Sequence, residues 1–192
     1  MEIIFYPHPT LRYKSKPIKR VDQKLKQIVA EMFELMYEAN GIGLAANQVD
    51  LPLQLFVINT KGNRETGEEL VFINPVVSQP KGTETAEEGC LSIPGINGQV
   101  SRPSKINVSA YDLSGNEINM QVSGLLARAV QHENDHLNGV LFIDRLVESE
   151  QKQIQDELDE FILDFQGRQT SAAIPNEQEI QKRLNEIENE YC

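Results

Sequence analysis

The segment LLARAVQHENDHLN, residues 125–138, constrains this chain more than any other. Ser123 is a suitable N-cap and Gly139 a C-terminal stop, so the segment predicts a helix. Its neighbours, AVQ before and LNGVLF after, are mostly apolar, so the helix is expected to be buried. Yet it carries His132, Glu133 and His136, a carboxylate and two of the chain's three histidines. Buried without partners, such groups are costly. The fold must wrap this helix and also give its polar groups something in common to bind.

Residues four apart on a helix share a face, about 6 Å apart along the axis. His132 and His136 can therefore aim at one point, as two ligands of a small divalent ion must. Glu133 lies about 100° further round. It can sit beside the ion without binding it and accept a proton from a water that the ion acidifies. The pattern H-E-x-x-H carries this chemistry, although it also occurs by chance. A hydrolytic site wants three protein ligands and one open position. No second histidine motif follows, and His8 is the only other histidine. A glutamate on a later helix is one source of the third ligand. Cys90, in AEEGCLSIPG, is another. Free cysteines are usually small buried apolar residues. A thiolate, however, is an excellent ligand for zinc or iron(II), and Gly89 lets the backbone come close. Taken with the histidines, Cys90 is preferred.

The rest of the chain reads as α+β. Asp22 caps a helix from about Gln23 to Asn40, with Leu25, Ile28, Val29, Met32, Leu35 and Met36 on one stripe and Gly41 at its end. Strand-like runs follow at 53–59, 70–78 and 105–115, with EINMQVS as a returning hairpin strand. GIGLAANQ, residues 41–48, reads as a tight helix–strand connection, or as a small-residue surface against which an extended substrate lies. Gln48, its one long polar side chain, is a candidate oxyanion donor. The tail splits into a helix over 148–166, a linker over 167–176 and a weaker helix over 177–192. Residues 1–166 are read as the catalytic domain and 167–192 as an acidic extension, helical or partly mobile. From Val147 onward there are twelve acidic and four basic residues, so about −8 of the net −11 lies in the tail. That balance argues against DNA or general nucleic-acid binding. No run of about 18 apolar residues and no export signal is seen, so cytoplasm is the expected compartment. A structural disulfide between Cys90 and Cys192 is not expected there.

GIGLAANQ (41–48), EEGCLS (87–92) and QHENDHLNG (131–139), in this order, resemble bacterial peptide deformylases, and PHPTLRYKSKPI resembles their N-terminal segment. The similarity covers about residues 1–147. It implies antiparallel sheets wrapped around the central H-E-x-x-H helix, with a C-terminal helix, and removal of the formyl group from the initiator methionine of nascent chains. By resemblance, Cys90, His132 and His136 bind the metal, natively Fe2+, with Zn2+, Ni2+ or Co2+ as alternatives. Glu133 is the base and then the acid. The Gln48 side-chain amide and the Leu91 N–H hold the oxyanion, where one donor is commonly worth about 3–4 kcal/mol of barrier. Ile42, Gly43 and Gly89 are expected to line the peptide cleft. Leu125, Ala129 and the His132 ring form one wall of the methionine pocket, with Ile42 opposite. The chain departs from the pattern at Gly95-Ile96-Asn97, where many relatives carry a basic residue, and at Arg128, which is expected to snorkel at the pocket rim. The acidic tail is expected to pack on the body. Transient docking to basic ribosomal proteins is the alternative.

Overall fold

The computed structural model describes residues 1–192. Asp22 caps helix α1 (Gln23–Glu38) by accepting from the Leu25 amide at 2.9 Å. Leu25, Val29, Met32, Phe33 and Met36 form its buried stripe. Five strands make the main sheet: β1 (Gly43–Ala45), β2 (Leu55–Ile58), β3 (Leu70–Lys81), β6 (Lys105–Tyr111) and β7 (Glu117–Ser123). Every neighbouring pair is antiparallel. Strands β4 (Glu84–Cys90) and β5 (Ile93–Arg102) form a separate hairpin.

Helix α2 (Gly124–Leu137) is central, as its apolar flanks require. Its Ala127, Val130 and Leu137 share one core with Phe56, Phe72, Ile106 and Val108 of the sheet. The stripe of α1 closes a second core with Leu44, Leu55 and Val57. A third core joins Ile93, Ile96 and Val100 of the hairpin to Leu141, Phe142, Leu146 and Leu158. The expected α+β architecture, antiparallel sheets around the H-E-x-x-H helix, is the one found.

Several elements differ from the sequence reading. GIGLAANQ is not a plain connection: it supplies β1 and a 3-10 turn over Ala46–Val49. Strand β3 runs three residues past 78, through Pro75 and Pro80. Its register on β6 shifts between Ile73 and Val76 and again between Ser78 and Lys81, where Asn74 and Gln79 adopt φ of 52° and 50°. Such bulges absorb prolines that a regular ladder rejects. The β4–β5 hairpin has no counterpart in the sequence reading. The tail helix breaks at Ile154 into α3 (Glu148–Gln153) and α4 (Gln155–Thr170), which overruns the expected linker. Helix α5 (Glu177–Tyr191) starts at a capping box between Asn176 and Glu179. It packs on the body: Ile180, Leu184 and Tyr191 are buried, and Tyr191 enters the α1 core. No helix is long and apolar enough to cross a membrane.

Candidate active site

The 3.6-residue period of α2 puts His132 and His136 on one face, with ring centroids 5.0 Å apart. The β4–β5 hairpin brings the third group. Its register jumps from Gly89↔Asn97 to Cys90↔Ile93, so the chain turns tightly at Leu91 and Ser92. That turn holds the Cys90 Sγ 3.3 Å from His136 Nε2. Ligand atoms of Cys90, His132 and His136 all lie within 4.8 Å of one another. Two ligands of a tetrahedral zinc-like ion stand roughly 3.5 Å apart, so one thiolate and two imidazoles fit a single ion and leave a position open. His136 Nδ1 is buried with no hydrogen-bond partner. Burial, with the charges of His132 and Arg102, holds His136 well below its ordinary pKa, hence neutral as a ligand must be. Burial also disfavours the His132 imidazolium, yet Cys90 and Glu88 outweigh it and raise that group to about 10. A ligating imidazole must be neutral, so a bound ion would displace that proton from His132.

Around these three lies a buried ionic network that the sequence reading missed. Glu88 Oε2 lies 3.1 Å from His132 Nδ1, which turns Nε2 toward Cys90. Arg102 grips Glu88 through Nε and Nη2 at 2.7 and 2.8 Å and Asp135 through Nη1 at 2.7 Å. Burial alone would raise the Glu88 carboxyl, but Arg102 and His132 hold it below the usual carboxylate range. Arg128 does not snorkel at the rim. Its guanidinium is held at the cleft wall, donating to Glu88 Oε1 at 2.6 Å, Val100 O at 2.9 Å and Glu84 O at 2.8 Å. Three acceptors on the hairpin satisfy the charge better than solvent at the rim would. Glu88 is only two residues from Cys90, so proximity was a usable signal. Nothing local ties Arg102 to Asp135.

Glu133 is 4% exposed and its Oε2 has no hydrogen-bond partner. Burial pushes its carboxyl up to about 7, against the opposing charges of His132 and Arg102. Gly43 makes room for it, because a Cβ there would strike the Glu133 carboxyl. Gln48 is fixed at both ends. Its Oε1 accepts from the Ala45 amide at 2.8 Å, and its Nε2 reaches Ser92 Oγ at 3.2 Å and Cys90 Sγ at 3.4 Å.

These groups open onto a cleft of about 640 Å3. Ile42, Gly43, Gln48, Gly89, Cys90 and Leu91 line one part of it. Leu125, Arg128, Ala129, His132 and Glu133 line another, so all the residues singled out from the sequence except His136 face this cavity. Ile3 and Phe5 of the N-terminal arm also line it, and went unnoticed in the sequence. The arm is held there by Ile4 N donating to Gln48 O at 2.8 Å and Tyr6 N to Ser92 O at 2.9 Å.

The polypeptide deformylase family model matches residues 1–152. A peptide deformylase of Rhodopirellula baltica is 49% identical over 191 residues, covering 100% of this chain and 95% of that protein. Among solved structures, a plant peptide deformylase superposes with a TM-score of 0.84 at 39% identity, over 92% of this chain and 95% of that one. A Legionella pneumophila peptide deformylase gives 0.78 at 37% identity, over 91% and 98%. The chain belongs to the peptide deformylase family, metal-dependent hydrolases that remove the N-formyl group from nascent polypeptides.

Proposed function

We propose that Cys90, His132 and His136 hold one catalytic metal, that Glu133 moves the proton, and that the Gln48 amide and the Leu91 N–H hold the developing oxyanion. The observation that carries this reading is convergence: a thiol and two imidazoles stand within reach of one ion, and a carboxylate with one unpartnered oxygen and a side-chain amide join the thiol and the His132 ring at the wall of one cleft. When bound, the metal supplies Lewis acidity and brings the pKa of water towards about 7. Glu133 Oε2 accepts the proton as a water oxygen attacks the formyl carbon. It then delivers that proton to the amine nitrogen as the C–N bond breaks, so formate and a free amino terminus leave. Gln48 Nε2 and the Leu91 N–H offer their hydrogens to the oxygen that gains negative charge. Ile42, Gly43 and Gly89 flank the extended peptide. The methionine side chain lies on Leu125, Ala129, the Arg128 stem and the His132 ring, and the charge of Arg128 is kept out of this apolar wall by its hairpin acceptors.

Iron(II) is the proposed native ion, because a thiolate with two imidazoles makes an electron-rich site; Zn2+, Ni2+ and Co2+ suit the same donors. Cytoplasm is the proposed compartment. A transient encounter with the ribosome, where formylated chains emerge, is the proposed setting, and the exposed acidic face of α4 is the surface suited to basic ribosomal proteins. Metal content tests the ligand set. Cys90→Ala should purify without the ion. Retention of one ion per chain would point to a carboxylate as third ligand, as in metallopeptidases of the same motif. The iron form should lose activity in air through oxidation of the metal or of Cys90. Full activity after prolonged aeration, with iron still bound, would count against that assignment.

A further inference from the structure

Helix α5 reaches the active site through one buried carboxylate. Asp50 is 7% exposed and closes the Ala46–Val49 turn that carries Gln48, in a left-handed conformation with φ 64°. Its N–H donates to Asn47 O at 3.2 Å. Its side chain accepts from Thr10 Oγ1 and pairs with Arg183 of α5. His8 Nε2 stands 3.8 Å away, while His8 Nδ1 accepts from the Thr10 amide at 3.3 Å. His8 is therefore neutral with its proton on Nε2, and Arg183 is the full positive charge that faces Asp50.

Both ends of this link are fixed. Ile180 and Leu184 are buried beside Pro9 and Tyr13. Tyr13 Oη donates to Glu188 at 2.8 Å, and the Lys19 amide to Tyr191 O at 2.9 Å. On the other side of the turn, Asn47 Nδ2 donates to the backbone oxygen of His136, and Gln48 Nε2 points at Cys90 and Ser92. A buried carboxylate deprived of its cation relaxes toward water, and the positive φ of Asp50, uncommon for any residue but glycine, then loses one of its anchors.

We propose that Arg183 is a positioning residue for deformylation: through Asp50 it holds the 46–49 turn so that the Gln48 amide faces the Cys90 side of the cleft. The acidic C-terminal helix is then part of the working enzyme, not an appendage. This rests on the oxyanion role given to Gln48 above.

Kinetics of the full-length, metal-loaded enzyme on a formyl-methionyl tripeptide test it. Arg183→Met should lower kcat about tenfold or more, short of the roughly 10²-fold that a 1 Å misplacement costs. KM should stay within about twofold, because the lost interaction belongs to the transition state. Arg183→Lys, which keeps the charge, should recover most of kcat. In a Gln48→Ala background Arg183→Met should cost little more. Equal losses in both backgrounds, or no loss in either, would overturn the proposal. Full kcat in Gln48→Ala alone would instead sink the role of Gln48. Amide exchange at Val49 and Asp50 then decides the strut by itself: faster exchange in Arg183→Met upholds it, and unchanged exchange removes it.

Discussion

Replacing Arg102 by methionine probes the ionic network behind the metal ligands. The stem is kept and the charge is lost. Arg102 is 3% exposed, and it bonds Glu88 at 2.7 and 2.8 Å and Asp135 at 2.7 Å. Both carboxylates stay buried when it goes. Removing one partner of a buried ion pair typically costs about 3–5 kcal/mol, mostly for the charge left behind. Here Glu88 keeps Arg128 at 2.6 Å and Asp135 keeps Arg145 at 2.5 Å. The loss therefore belongs at the low end, about 3 kcal/mol. At this chain length each kcal/mol moves Tm by about 2–4 °C, which gives a fall of about 6–12 °C. The assay is thermal unfolding at pH 7 with chelator present, so that metal binding to the native state does not mask the change. Glu88→Gln added to this variant should cost less than it does alone, since the Arg102–Glu88 bonds are already gone. The metal-loaded variant should also bind its ion about 10–100-fold more weakly, because Glu88 orients His132. A Tm fall under about 2 °C, or a double variant worse than the sum of the singles, would refute the reasoning.

Gly43→Ala should leave the fold in place and lower kcat about tenfold or more, since its Cβ meets the Glu133 carboxyl; formate release measures it. Leu125 is 53% exposed on the cleft wall, so Leu125→Ala should raise KM severalfold for a formyl-methionyl peptide, with kcat nearly unchanged. Burial, helped by Arg183, lowers His8 from 6.5 to about 4. Native His8 stays neutral where the unfolded chain binds a proton, so its contribution is complete above pH 6.5 and is lost as pH falls toward 4. At 1.36 kcal/mol per pH unit the loss is on the order of 3 kcal/mol. His8→Asn, which can still cap the Thr10 amide, should flatten that slope in denaturant titrations across this range; an unchanged slope would show that other groups carry it.

How far the molecule was legible depends on the range of each signal. The period of α2 fixes the geometry of His132, Glu133 and His136 within one turn, so the sequence displays it. Asp22 and the α1 stripe are local in the same way. The β4–β5 hairpin was invisible because its buried face includes Glu88 and Arg102 where an apolar alternation would place aliphatic side chains. The sequence run passes Pro75 but stops at 78, before Pro80, which the ladder accommodates only through the register shift between Ser78 and Lys81. Arg128 was misplaced because its acceptors, Glu84, Val100 and Glu88, lie on a hairpin that had not been recognised. In α5, the buried Ile180, Leu184 and Tyr191 form a narrow inner face in a helix that is otherwise mostly polar and acidic, so little in it announces packing. The Arg183–Asp50 pair joins the two ends of the fold, and no local pattern encodes such a contact.

The most direct measurement is formate release from a formyl-methionyl tripeptide by protein purified without oxygen, beside Glu133→Ala with its metal content matched. Rapid release by the natural chain, abolished by the substitution, is the predicted result. Release that persists in Glu133→Ala would take the proton transfer away from Glu133, and no release from folded, metal-loaded protein would contradict deformylation by this site.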